Sequence, residues 1–207
     1  MTAAVRPRLL LLDFDGVLAH YSHADRIAHL AAHAGCEPAR VAEVLFASGL
    51  ETGYDSGHID TATYLRRLGE GLGRPVDEAC WIASRVAGNR ADPRVLEQVL
   101  AVAAHTPVGV LSNNGALMAE AMRTIVAPLF PALEGRVLCS GALGARKPEA
   151  AAFAAALEHF AMPAAQVLFV DDLFANVQGA RQAGLQADTA RDARALGRVL
   201  RRHRLLP

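Results

Sequence analysis

The sequence predicts an α/β fold: a parallel sheet covered by helices on both faces, with an all-helical insertion. Three observations predict it. Four consecutive leucines, Leu9–Leu12, run directly into Asp13-Phe14-Asp15-Gly16. Strand and helix patterns alternate from residue 92 to the end of the chain. The stretch between them reads as helix alone. With 207 residues, 52% hydrophobic and 20% charged, the chain is globular and can hold one core domain with a smaller one inserted.

The leucine run predicts a strand buried on both faces, where a charge is expensive until the strand ends. From residue 17 to about 90 the pattern is helical, in DRIAHLAAHAG, PARVAEVLFASG, DTATYLRRLGEGLG and VDEACWIASRVAG, punctuated by Gly and Pro. Asp92-Pro93 starts a helix, with Asp as N-cap and Pro at the first helical position. PVGVLSNNG is a short apolar strand ending in polar residues, and a helix follows through GALMAEAMRTIVA. RVLCS is a third strand, and KPEAAAFAAALEHFA a helix with Pro148 near its start. QVLFVDD is a fourth strand, FANVQGARQAG a helix stopped by Gly184, LQADTA a fifth strand, and an arginine-rich helix closes the chain. Strand–helix alternation of this kind implies parallel strands joined by right-handed crossovers. Residues 1–16 and 91–207 therefore form the core domain, and 17–90 a cap.

Composition excludes several classes. Lys+Arg and Asp+Glu both total 21, so charge suggests neither a nucleic-acid nor a membrane partner. No apolar run approaches the roughly 18 residues of a membrane span. Cys36, Cys80 and Cys139 are far apart and odd in number, which reads as reduced core residues of a cytoplasmic protein. Within the balanced charge, Lys147 is the only lysine; every other Lys/Arg position is arginine. A lone ammonium in such a chain marks a position that needs a compact charge, unless it is compositional drift.

Ligands of open α/β sheets bind beyond the carboxyl ends of the strands. Those ends here are DFDG, SNNG and VDDLFAN, with Lys147 just after the third strand. Parallel neighbouring strands would bring Asp13, Asp15, Asp171 and Asp172 into one crevice, where they repel unless protons or a cation neutralise them. All-oxygen ligands suit Mg²⁺ and phosphate substrates. Ser112, Asn113 and Lys147 would then complete a phosphate pocket. A carboxylate can act as nucleophile through an aspartyl-phosphate, and a second can exchange the proton of the leaving group and the water.

DFDGVL, LSNN, the lysine of RKPE and VDDLFANVQGARQAG resemble, in order, the four motifs of the haloacid dehalogenase (HAD) superfamily. The resemblance covers the whole α/β part and implies a HAD-like Rossmannoid sheet with a C1-type helical cap, of the subfamily IA kind. It implies that Asp13 is nucleophile and Mg²⁺ ligand, and that Asp15 is the general acid/base and lends its backbone carbonyl to the metal. It further implies that Ser112 and Asn113 bind the phosphoryl group, that Lys147 pairs with phosphate and nucleophile, and that Asp171 and Asp172 complete the metal site. Either of these two could be the direct ligand. The dehalogenase branch generally lacks an aspartate two residues after its nucleophile, so Asp15 points to phosphate chemistry. The expected protein is a Mg²⁺-dependent phosphatase of a small phosphorylated metabolite, possibly a sugar phosphate, acting as monomer or homodimer. The alternatives are a phosphomutase on the same core and a non-catalytic phosphate-binding protein.

Other motifs carry less. Asn176 either anchors the fourth loop or caps the helix beginning near it, and capping is the favoured reading. His29 and His33 could share a helix face as in some zinc sites, but without HExxH or nearby cysteines they read as an ordinary cap helix. For His20 and Tyr21, just past the first motif, substrate contact and hinge packing stay equally open. GEGLGR reads as the end of a cap helix, and the arginines at 191, 194, 198, 201, 202 and 204 as a solvated face.

Overall fold

A computed structural model describes residues 5–207. The chain begins with β1 (Leu9–Leu12) and β2 (Ala19–Tyr21). The helical segment follows: α1 (His23–Ala34), α2 (Pro38–Ala42) continuing into a π-helical turn, α3 (Leu50–Asp55), α4 (Thr61–Leu72) and α5 (Glu78–Gly88). β3 (Asn89–Ala91) then returns to the core, followed by α6 (Pro93–Ala103), β4 (Val108–Ser112), α7 (Met118–Ile125) and β5 (Val137–Cys139). The last elements are α8 (Ser140–Leu143), α9 (Ala150–His159), β6 (Val167–Asp171), α10 (Phe174–Gln182), β7 (Gln186–Thr189) and α11 (Ala193–Arg202).

The main sheet is parallel throughout, in the order β5-β4-β1-β6-β7, with helices on both faces. β1 is central: Leu10 lies opposite Val108 on one side and Leu168 on the other. Its leucines alternate between two cores, as strand geometry requires. Leu10 and Leu12 join the core that contains α6, α7, α11 and the buried side chains of the helical segment. Leu9 and Leu11 join the core under α9 and α10. All four are at most 1% exposed, and burial stabilises each by about 1.5–3 kcal/mol. The strand is therefore fixed on both faces, and the acids that follow it inherit that rigidity.

Aspartates start several helices. Asp60, Asp77, Asp92 and Asp192 each accept a backbone N–H of the first turn. Two features of the 17–90 segment escape a helical reading of it. β2 and β3 form a short antiparallel ribbon at the two ends of the segment, His20 opposite Arg90. Three residues are too few to show a period, and their pairing partners are about seventy residues apart in sequence. The six-residue α3 is also absent from that reading, because it is shorter than two turns and contains Gly53.

α3 closes against the loop after β4. Tyr54 Oη accepts the Leu117 N–H at 3.0 Å, and Asp55 Oδ1 accepts the Gly115 N–H at 2.7 Å. A Cβ on Gly115 would lie 2.0 Å from the Tyr54 ring, so only glycine permits this approach. Of the cysteines, only Cys139 is a core residue; burial pushes its thiol up to about 12. Cys36 and Cys80 are half-buried. The final arginines lie on an exposed face, with Arg202 paired to Asp188. No helix among the described residues is long and apolar enough to cross a membrane.

Candidate active site

Asp13 follows β1 directly and is 7% exposed. Its Oδ1 accepts the Phe14 N–H at 2.7 Å and lies 2.7 Å from Lys147 Nζ. Burial raises its carboxyl to about 7, with Asp171 and Asp15 adding to the shift and Lys147 opposing it. Asp171 ends the neighbouring strand β6 and is fully buried. It collects four hydrogen bonds: Lys147 Nζ at 2.8 Å, the Leu173 N–H at 2.8 Å, and Asn176 Nδ2 to both oxygens at 3.1 and 3.0 Å. Asp172 is half-buried, and burial followed by the charge of Asp171 raises its carboxyl. Carboxylate oxygens of Asp13, Asp171 and Asp172 lie within 4.8 Å of one another. Three hard oxygen donors so placed, two of them reluctant to ionise together, fit a divalent cation such as Mg²⁺. Asp171 already accepts four hydrogen bonds, so Asp172 is the freer ligand of the pair.

Gly16 makes room for this arrangement. Its φ is +88°, and a Cβ there would fall 2.6 Å from Asp172 Cγ. The turn that carries Asp15 thus requires a residue without a side chain.

The Asp15 side chain stands apart from the aspartate trio. Its Oδ2 accepts Asn114 Nδ2 at 2.9 Å and Arg85 Nη2 at 3.1 Å. Its Oδ1 is buried without a partner. Asn114 Nδ2 also donates to Ser112 Oγ at 2.8 Å, so one amide links the Ser112 hydroxyl to Asp15. Asn113, expected to meet the phosphoryl group, uses both side-chain polar atoms on the backbone of Lys147: Nδ2 donates to its carbonyl at 2.8 Å, and Oδ1 accepts its N–H at 2.9 Å. Its amide therefore positions Lys147. Lys147 itself is 2% exposed and bridges Asp13 and Asp171.

Three residues at this site were not singled out by the sequence reading. Asn114 adjoins the expected pair, and its role depends on which asparagine of SNN turns inward. Arg85 and Asp55 come from the helical segment, where no periodic signal distinguishes them from solvated charges. Asn176 is settled in favour of loop anchoring, since it binds Asp171 from within α10 and the N-cap position is Leu173. The Tyr21 ring lies 4.4 Å beneath the Arg85 guanidinium, and its hydroxyl accepts Arg26 Nη1. His20 is exposed on the ribbon. His33 meets the Pro75 carbonyl, and neither His29 nor His33 belongs to the metal-capable cluster found among the described residues.

The family model of haloacid dehalogenase-like hydrolases matches residues 7–184. The chain belongs to that family. Its fold is shared with a HAD-like hydrolase from Porphyromonas gingivalis at a TM-score of 0.75 and 22% identity, covering 95% of this chain and 99% of that one. A HAD enzyme from Bacteroides thetaiotaomicron, in complex with magnesium and inorganic phosphate, aligns at a TM-score of 0.71 and 20% identity, over 88% and 93% of the two chains. The L-2-haloacid dehalogenase of Xanthobacter autotrophicus, with chloropropionic acid covalently bound, aligns at 0.63 and 18% identity, over 97% and 85%. No curated protein matches the sequence significantly. At these identities the structural likeness shows the fold alone.

Proposed function

We propose that this HAD hydrolase is a Mg²⁺-dependent phosphatase of a small phosphorylated metabolite, with a sugar phosphate among the candidates, and that it works through an aspartyl-phosphate on Asp13. The observation that carries the reading is Asp15. Two donors hold its Oδ2, and its buried Oδ1 has no partner, beside a nucleophile candidate two residues away. Halide departure needs no proton, whereas an alkoxide leaving from phosphorus does, so an acid fixed at this point supports ester hydrolysis over dehalogenation. The magnesium and phosphate bound by the Bacteroides relative agree with it.

In this reading Asp13 attacks phosphorus as the ester P–O bond breaks, and Asp15 gives its proton to the departing oxygen. Water then attacks the phosphorus of the aspartyl-phosphate and loses its proton to Asp15, which releases phosphate and restores Asp13. Lys147 and Ser112 hold the phosphoryl oxygens, Asn113 holds Lys147 in place, and Asn114 keeps Ser112 and Asp15 in register. Asp13, the Asp15 carbonyl, Asp171 and Asp172 would hold Mg²⁺, which when bound supplies positive charge against the transferring phosphoryl group.

Asp13→Asn tests the reading. The amide is nearly isosteric but a poor nucleophile, so phosphate release should fall by several orders of magnitude while circular dichroism and thermal unfolding remain those of a folded protein. Retention of more than a small fraction of the wild-type rate would exclude the covalent route.

A further inference from the structure

The helical segment brings one cation into the site, and its hydrogen bonding falls short of its burial. Arg85, on α5, is 2% exposed. A guanidinium has five N–H donors, yet Asp15 Oδ2 is its one hydrogen-bonded acceptor among the described residues, and Nε is buried without a partner. The comparison with Arg26 is direct. Arg26 is also buried, but its two Nη groups reach both oxygens of Glu51 and the hydroxyls of Tyr21 and Tyr64, leaving only Nε unused. Arg85 is nonetheless held firmly, its guanidinium 4.4 Å from the Tyr21 ring centroid and 5.9 Å from that of Trp81. A planar donor fork, fixed in place and mostly unused, is preorganised for an oxyanion.

The two buried cations next to the acids are also divided. Lys147 pairs with Asp13 and Asp171, where the phosphoryl group would be transferred. Arg85 pairs with Asp15, which serves the leaving group. Glu51 and Asp55 are near enough to feel the Arg85 charge, but neither is hydrogen-bonded to it. With those carboxylates close by, a singly charged group is a better guest than a second phosphate, which carries nearly two negative charges.

We propose that Arg85 is a substrate-binding residue that receives a carboxylate on the alcohol portion of the phosphate ester, so that the preferred substrates are phosphorylated hydroxy acids. This rests on the phosphatase reading above and narrows its substrate class.

The test compares 3-phosphoglycerate with glycerol 3-phosphate, which differ in bearing a carboxylate or a hydroxymethyl group. Wild-type enzyme with Mg²⁺ should favour 3-phosphoglycerate in kcat/KM by at least about tenfold, as expected for a hydrogen bond to a charged group. In Arg85→Gln the ratio should fall to within about threefold of one, whatever loss the two substrates share. Arg85→Lys should keep part of the preference, since it keeps the charge and loses the fork; it also carries the test if the glutamine variant does not fold. A wild-type ratio near one, or an unchanged ratio in either variant, overturns the proposal and leaves Arg85 a support for Asp15. If neither ester is hydrolysed, the phosphatase reading fails for these substrates, and binding decides the Arg85 question separately. Trp81 is the only tryptophan, so its fluorescence follows titration with each ester. Tighter binding of 3-phosphoglycerate that is lost in Arg85→Gln supports the proposal, and equal binding of the two esters refutes it.

Discussion

Replacing Lys147 by methionine keeps most of the unbranched side chain, one atom shorter, and removes the charge that separates two buried carboxylates. Nζ lies 2.7 Å from Asp13 and 2.8 Å from Asp171, and the lysine side chain is 1% exposed. Breaking a buried ion pair from one side typically costs about 3–5 kcal/mol, because the partner charge stays behind. The molecule has one escape, which is to protonate a carboxyl. Asp13, already raised to about 7, takes that proton at little cost at neutral pH, which leaves Asp171 as the uncompensated charge. The expected loss at pH 7 is therefore about 3–4 kcal/mol, the low part of that range. Above pH 7 the proton on Asp13 must also be held, and the loss should grow by about 1.4 kcal/mol per pH unit. Equilibrium urea unfolding of both proteins in chelator, at pH 7 and pH 9, measures this directly. A loss below about 1 kcal/mol at pH 7, or one that does not change with pH, would refute the idea that Lys147 is what keeps the two acids together.

Further predictions follow from neighbouring residues. Lys147→Arg keeps the charge but replaces a point donor by a bulky planar fork in a full pocket. It should lower kcat/KM at least about a hundredfold, roughly 2.7 kcal/mol, whereas Arg146→Lys beside it should change little. Gly16→Ala places a methyl against Asp172 at positive φ. It should destabilise the fold by about 1–2 kcal/mol and weaken Mg²⁺ binding, which calorimetric titration of the two proteins compares. In metal-free protein, Asp13 and Asp55 are both raised to about 7, chiefly by burial. Folding then favours their protonated forms, so the stability they contribute is present in acid and is lost as pH rises through about 7. Glu51 and Asp188 are lowered and titrate below this window, and the exposed His23 opposes only weakly. Unfolding in chelator should therefore show greater stability near pH 5 than near pH 8, by about 2–3 kcal/mol from Asp13 alone, and Mg²⁺ should flatten the difference.

The α/β core was legible because its signals are local. Leucine and valine runs mark strands buried on both faces, Asp-Pro marks the start of α6, and the acids interrupt apolar runs where the strands end. Lys147 is marked by number, as the single lysine, and by its place just after the third strand, and the structure puts it between Asp13 and Asp171. What stayed hidden depends on contacts distant in sequence. The β2–β3 ribbon pairs residues from the two ends of a long insertion, and Arg85 looks like any other arginine until α5 is packed over Asp15. The assignment of Asn113 and Asn114 turns on side-chain direction at one loop, where two identical residues point to different partners.

The most direct measurement is phosphate release across a panel of phosphorylated metabolites, with 2-chloropropionate included and chloride followed in parallel, in Mg²⁺ and again in excess chelator. A Mg²⁺-dependent phosphatase should release phosphate from at least one ester, lose that activity in chelator, regain it when Mg²⁺ is restored, and release no chloride. Chloride release with every phosphate ester left intact, or phosphate release undiminished in chelator by protein that carries no metal, would contradict the account.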